Sequence, residues 1–314
     1  MRRIVYGRLP TERANPRSRN LDRLAALGIV TLMNREDRQV LAAVASVRRR
    51  IARAVELIVA SLRHGGRLFF VGAGTSGRLG VLEAAECPPT FGTPPSLVRA
   101  IMAGGRASVF RSREGAEDRA GEARQAIRRH VRAGDVVVGI SASGVTPFVR
   151  AALAEAKRRR ARTVLLAMNP LIPVGRHADL VIAPRVGPEV LAGSTRLKAG
   201  SATKMILNIL TTASMVHLGK AYSNLMVDLR PTSRKLRARA LKLVQELGGV
   251  GETRARRLLR AADGRVKLAI LMARRELSAR EARKMLLAAG GSLRRGLGVG
   301  SDADGERALT RSPS

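Results

Sequence analysis

Residues 67–92, RLFFVGAGTSGRLGVLEAAECPPTFG, decide the reading of the fold. Leu68–Val71 is short, apolar and closed by glycine, as expected of a strand buried in a parallel sheet. Gly72, Gly74 and Gly77 permit positive φ and close approach of a ligand to the backbone, and the hydroxyls of Thr75 and Ser76 can donate hydrogen bonds to it. A helix expected from about Arg78 would aim free N–H groups at the same spot, which suits a phosphate. Glu86 is expected at the end of that helix, just before Pro88-Pro89, so an acid stands beside an anion cradle. The glycine spacing is neither the dinucleotide fingerprint nor a P-loop, and the glycines alone fit a plain strand-to-helix turn equally well.

Strand-like runs recur at Leu97–Met102, Val136–Ile140, Thr163–Ala167 and Leu180–Ala183, with helical stretches between most of them. That alternation predicts an α/β fold, a doubly wound parallel sheet of about five strands, whose ligands bind beyond the carboxyl ends of the strands. Two further loops at those ends are informative. Ser141-Ala-Ser-Gly-Val-Thr-Pro147 is a second hydroxyl-rich turn, opening a helix around Phe148–Arg160. Gly193–Lys204, GSTRLKAGSATK, places hydroxyls and two lysines at the start of a long apolar helix, after Gly187-Pro-Glu189.

Residues 1–20 are polar and read as an extended arm. From Leu21 to about Leu62, apolar residues at helical spacing (Leu41, Val44, Val47, Ile51, Val55, Ile58, Leu62) predict two helices with Asn34–Asp37 near their junction, ended by His64-Gly-Gly66. Beyond Arg230 the chain turns to short, arginine-rich helices, and Ser278-Ala-Arg-Glu281 is a capping-box signature for a final one closed by Gly290-Gly291. The expected organisation is an N-terminal arm and helices (1–55), a sheet domain (56–229), a small C-terminal helical subdomain for packing or dimerisation (230–300) and a disordered tail (301–314).

A chain of 314 residues, 45% hydrophobic, can bury a full core. It has no apolar run of the ~20 residues a membrane helix needs, and MRRIVYGRLPTERANP lacks a signal-peptide apolar region, so a cytoplasmic protein is expected. Cys87, the single cysteine, has no partner for a disulfide or a cysteine cluster. The formal charge is +34, but 50 of the 58 basic residues are arginine and they are spread through every segment, a bias that arginine codons of a G+C-rich genome would produce. With 2% aromatic residues and no Trp, base-stacking platforms are scarce, so nucleic acid is not the expected partner. The positive field favours an anionic small molecule.

Taken together, GAGTSGRLG, AAECPPTFG, EGAED, GISASG and GSTRLKAGSATK, with a TExxNP arm at Thr11–Pro16 and NREDR at Asn34–Arg38, resemble the N-acetylmuramic acid 6-phosphate etherase family, SIS-domain enzymes related to the glucokinase regulatory protein. The resemblance spans roughly residues 10–295. It implies a lyase without metal or cofactor, acting as a cytoplasmic homodimer with sites near the subunit interface. Its reaction would release D-lactate from the lactyl ether of a phosphorylated amino sugar, leaving N-acetylglucosamine 6-phosphate. A non-catalytic sugar-phosphate-binding regulator and a sugar-phosphate isomerase are the alternatives on the same fold.

By motif, the resemblance carries the two catalytic glutamates onto Glu86 of AECPP and Glu117 of EGAED, with Glu114 competing for the second role. The chemistry needs two such groups. An ether oxygen leaves poorly without a general acid, and the C2 proton becomes removable only when the sugar opens to its aldehyde. Two carboxylates with pKa values pushed apart can exchange these roles, and Glu86, against an apolar helix face and the prolines, is expected to be the protonated one. Thr75, Ser76, Ser141, Ser143, Thr146, Ser194 and Lys198 are the expected sugar-phosphate ligands, with Arg78 and Arg196 as further cations. Taken singly, such serines are more often turn formers, and His64, His130, His177 and His217 read as structural. The sequence departs from the family's pattern at Val145, where arginine is common, and at Glu83, where aspartate is usual.

Overall fold

The computed structural model describes residues 7, 9–170 and 177–298; the tail expected over 301–314 lies outside them. The chain forms two compact units, one of the residues up to Cys87 with Thr93–Ser214, the other of Pro88–Gly92 with the chain from Met215 onward.

The first unit begins with short 3-10 turns at Pro10–Glu12, Pro16–Ser18 and Leu21–Arg23, then two helices, α1 (Ala26–Ser46) and α2 (Arg48–Arg63). The junction falls at Val47, and Asn34–Asp37 lies inside α1. The polar run misled because Glu36 is a buried side chain with its own partners, not a break in the helix. Val44, Ile51, Val55 and Ile58 are buried as the periodicity requires, whereas Leu41 is 62% exposed.

The sheet follows as β1 (Leu68–Gly72), α3 (Gly74–Phe91), β2 (Val98–Met102), α4 (Ala107–Phe110), α5 (Ala120–His130), β3 (Val136–Ile140), α6 (Pro147–Arg158), β4 (Arg162–Leu166), β5 (Leu180–Ile182) and α7 (Lys198–His217). All pairings are parallel, in the order β2-β1-β3-β4-β5. β1 and β3 are buried along their whole length, so their runs carry no polar alternation. Phe69, Val71, Val137 and Leu165 point into a core shared with Phe148, Val149 and Leu153 of α6 and Ile127 of α5. A Cβ at Gly80 of α3 would lie 2.9 Å from the Cβ of Phe70, so glycine lets α3 press on the other face of β1.

Chain order leaves β1 for β2 on one side and returns to β3 on the other. The turns after β1 and β3 therefore diverge at the switch point of the sheet and leave a crevice between them.

The second unit carries the short pair β6 (Ala221–Tyr222) and β7 (Leu225–Met226), then α8 (Arg234–Gly248), α9 (Glu252–Ala261), α10 (Val266–Arg275), α11 (Ala279–Ala288) and α12 (Leu293–Gly296). Its core gathers Val227, Leu229, Val244, Ala255, Ile270, Leu271, Ala282 and Leu293. The Ser278/Glu281 capping box opens α11 as expected, but α12 follows it. Lys267 is buried, and its ammonium donates to Gly219 O (3.0 Å), Gly291 O (2.6 Å) and Asp228 Oδ2 (2.8 Å).

Candidate active site

The first turn of α3 differs from expectation in a useful way. The helix starts at Gly74, not near Arg78, so Thr75 and Ser76 sit in its first turn with half-buried side chains. Of the three glycines only Gly74 takes positive φ, at 53°. Gly72 and Gly77 serve close packing instead: a Cβ on Gly72 would lie 2.7 Å from Gly77 N, and one on Gly77 2.6 Å from Gly72 O. The cradle is thus built by backbone-to-backbone contact that any side chain would break.

The turn after β3 is held by its own hydroxyls. Ser141 is buried, and its Oγ lies 2.7 Å from Thr146 Oγ1 and 3.4 Å from Ser143 Oγ while accepting from Gly144 N at 3.0 Å. Ser143 Oγ accepts from Val145 N at 3.3 Å. Val145 itself is buried in the core with Phe148 and Val149, so the side chain at this position points away from the hydroxyls. The structure brings Ser141, Ser143 and Thr146 together, in the turn after the strand paired beside β1, whose own end leads to Thr75 and Ser76.

Glu117 occupies a 3-10 turn at Ala116–Asp118 that packs on α6, whose N-terminus follows the second hydroxyl turn. Ala116 anchors the turn in the core while Glu114 and Glu117 are exposed. Arg78 ties α3 to the neighbouring loop, donating from Nε to Val109 O at 2.8 Å and from Nη2 to Ser112 Oγ at 3.4 Å.

Glu86 does not end its helix. α3 runs on through Pro88 and Pro89 to Phe91, although neither proline has an N–H to give back to the preceding turn. Glu86 is exposed rather than set against the apolar surroundings expected of it. One turn earlier Glu83 is buried, with Oε2 on Lys204 Nζ at 2.6 Å and Oε1 accepting from Thr211 Oγ1 at 2.5 Å, which joins α3 to α7. Cys87 is buried beside this pair, and its thiol is pushed up to about 12, by desolvation first and then by Glu83 and Glu86, with Lys204 opposing.

The start of α7 corrects two expectations. Its first amides do not await a ligand: Lys198 N and Ala199 N both donate to the buried carboxylate of Glu189, at 2.9 Å each. Burial raises the pKa of Glu189 against these bonds. Lys198 is also no free phosphate ligand here, because its ammonium is buried on Glu36 Oε2 at 2.6 Å. A lysine so deeply desolvated needs a carboxylate beside it. Glu36 takes further bonds from Asn15 Nδ2 (2.7 Å), Arg17 Nη1 (2.8 Å) and Gln39 Nε2 (3.2 Å). Burial alone would raise its pKa, but Lys198, Arg17 and Asn15 outweigh that and bring it to about 2. Asn15 also reaches Pro188 O at 3.2 Å, so the arm, α1 and the loop before α7 close on one network. Ser194 is half-buried in that loop, and Thr75 Cγ2 lies 3.9 Å from where a Cβ on Gly200 would sit, which sets the first turns of α3 and α7 side by side. Sequence reading named Glu83 only as a departure from the family's pattern and gave Glu36, within NREDR, and Glu189 no role, because their partners come from other elements of the fold.

Residues 50–157 match the glucokinase regulatory protein N-terminal SIS domain family, and residues 117–213 the SIS domain family. A protein of Picosynechococcus named N-acetylmuramic acid 6-phosphate etherase is 50% identical over 292 residues, covering 93% of this chain and 97% of its own. Proteins of the same name from Rippkaea orientalis (52% over 289 residues; 92% and 94%) and Symbiobacterium thermophilum (52% over 268 residues; 85% and 89%) agree. A match so close and nearly end to end, on a SIS-type sheet with hydroxyl turns at its switch point, makes this chain a member of the N-acetylmuramic acid 6-phosphate etherase family.

Proposed function

We propose that this chain is a carbon–oxygen lyase that cleaves the D-lactyl ether of N-acetylmuramic acid 6-phosphate to N-acetylglucosamine 6-phosphate and D-lactate, in the recycling of cell-wall amino sugars. The observation that carries the reading is the pair of hydroxyl turns on one crevice of a chain half identical to etherases over nearly its full length. The phosphate is received by Thr75, Ser76, Ser141, Ser143 and Thr146. Glu117 takes the C2 proton of the open-chain aldehyde as a carboxylate base, and Glu86 gives its proton to the ether oxygen as lactate leaves. Water then adds to C3 of the unsaturated aldehyde. Glu86 removes the proton of that water and Glu117 returns one to C2, so both groups end as they began.

Distance along α3 bears on how the site is completed. Ser76 and Glu86 are ten residues apart on one helix, about 15 Å at the rise of an α-helix. Glu86 thus stands well away from its own chain's phosphate cradle, which favours a site shared between two copies. The site is completed by a second copy, whose Glu86 meets the sugar held by the first chain's hydroxyls, in a homodimer. Leu27 (77% exposed) and Leu41 (62% exposed) on α1 and Leu82 on α3 leave apolar surface for such a contact.

The test is release of D-lactate from N-acetylmuramic acid 6-phosphate by the purified protein, with Glu86→Gln expected to lose at least 100-fold in kcat. Saturable sugar-phosphate binding without lactate would mean a regulator, and interconversion of aldose and ketose phosphates an isomerase.

A further inference from the structure

We propose that Lys204 is a substrate-binding residue that recognises the lactyl carboxylate and so distinguishes substrate from sugar product. The inference rests on the etherase reading and concerns a residue to which that reading gives no part.

The substrate carries two anionic groups, the 6-phosphate and the carboxylate of the lactyl substituent, whereas the sugar product keeps only the phosphate. The hydroxyl turns account for the first. The second lies beside the ether oxygen, next to the acid that protonates it, and a carboxylate brought there calls for a cation. Lys198 cannot be that cation, because its ammonium is buried on Glu36. Arg78 is anchored on Val109 O and Ser112 Oγ and stands eight residues before Glu86 on α3, about 12 Å along the helix.

Lys204 differs from both. Its Nζ donates to Glu83 Oε2 at 2.6 Å and to Asn208 Oδ1 at 2.5 Å. An ammonium has three donors, so one N–H remains, and the side chain is 33% exposed. Glu83 precedes Glu86 by one turn of α3, which puts the two carboxyl groups on neighbouring positions of one helix face. The second oxygen of Glu83 is held by Thr211, which pins the lysine's own counter-ion. The result is an ammonium set by two partners, with one donor left over, beside the residue assigned to the ether oxygen.

The experiment compares KM for N-acetylmuramic acid 6-phosphate with the inhibition constant of N-acetylglucosamine 6-phosphate. In Lys204→Gln the first is expected to rise about ten- to a hundredfold, the worth of a charge-assisted hydrogen bond, while the second stays within about twofold. Lys204→Arg should restore most of the difference. Because Lys204→Gln leaves Glu83 without its cation, the paired variant Glu83→Gln/Lys204→Gln removes both charges together, and the same split is expected of it. Equal weakening of both ligands, no change in either, or the split appearing in Arg196→Gln instead would overturn the assignment. Absence of lactate release from the unaltered protein would instead sink the etherase reading itself.

Discussion

The ammonium of Lys198 lies 2.6 Å from Oε2 of Glu36, with side chains 1% and 2% exposed, and this pair joins the first turn of α7 to the middle of α1. Removing one partner leaves a buried charge unmet. Lys198→Met or Glu36→Gln is expected to cost about 3–5 kcal/mol of stability at neutral pH, read by urea denaturation. The double replacement Glu36→Leu/Lys198→Met should cost clearly less than either single change, and a larger loss would refute the account.

The same pair sets a pH dependence. Glu36 falls from 4.5 to about 2 on folding, because its hydrogen bonds outweigh its burial. A depressed carboxylate contributes stability above its unfolded pKa and loses it as pH falls through the folded one, here between about 4.5 and 2. The contribution is on the order of 3 kcal/mol. Stability curves of the unaltered protein and Glu36→Gln should converge across that window; parallel curves would remove Glu36 as the cause.

Glu189 works in the opposite sense electrostatically and in the same sense structurally. Its carboxylate satisfies two buried amides at the start of α7. Glu189→Ala orphans both and is expected to destabilise by about 1–3 kcal/mol. Hydrogen exchange at Lys198 and Ala199 is the direct measure, and unchanged protection there would contradict the capping role.

Ser141 is the hub of the second hydroxyl turn. Ser141→Ala removes the acceptor for Gly144 N and the partner of Thr146 Oγ1. A stability loss of about 1 kcal/mol is expected, with KM for the sugar phosphate rising about tenfold or more. A variant with normal KM would show that the turn is not a phosphate site.

A shared site predicts complementation. Ser76→Ala/Ser141→Ala and Glu86→Gln should each be nearly inactive, yet dimers formed from a mixture should recover up to roughly a quarter of normal lactate release, because one of the two sites in a mixed dimer is intact. No recovery in verified mixed dimers would place Ser76 and Glu86 in one chain's site after all.

The strands, their parallel sheet and both hydroxyl turns were legible in the chain because each is a local signal: an apolar run of strand length, then small and hydroxyl residues. The boundaries were less so. Asn34–Asp37 looked like a junction and Pro88-Pro89 like a stop, yet both lie inside helices. In the first case the buried glutamate is met by Lys198, far along the chain, together with Asn15, Arg17 and Gln39; in the second, α3 continues despite two missing donors.

What the sequence by itself determined is the family, the sheet and the cradle's composition, since these rest on motifs and periodicity within a few residues of one another. Only the tertiary structure decided what each charge does. Lys198 and Lys204 stand six residues apart in one motif, yet one closes a buried pair with Glu36 and the other keeps a donor toward solvent beside Glu83. The physical reason is that a charge takes its role from its desolvation and from the partner that meets it, and both are set by which elements pack together.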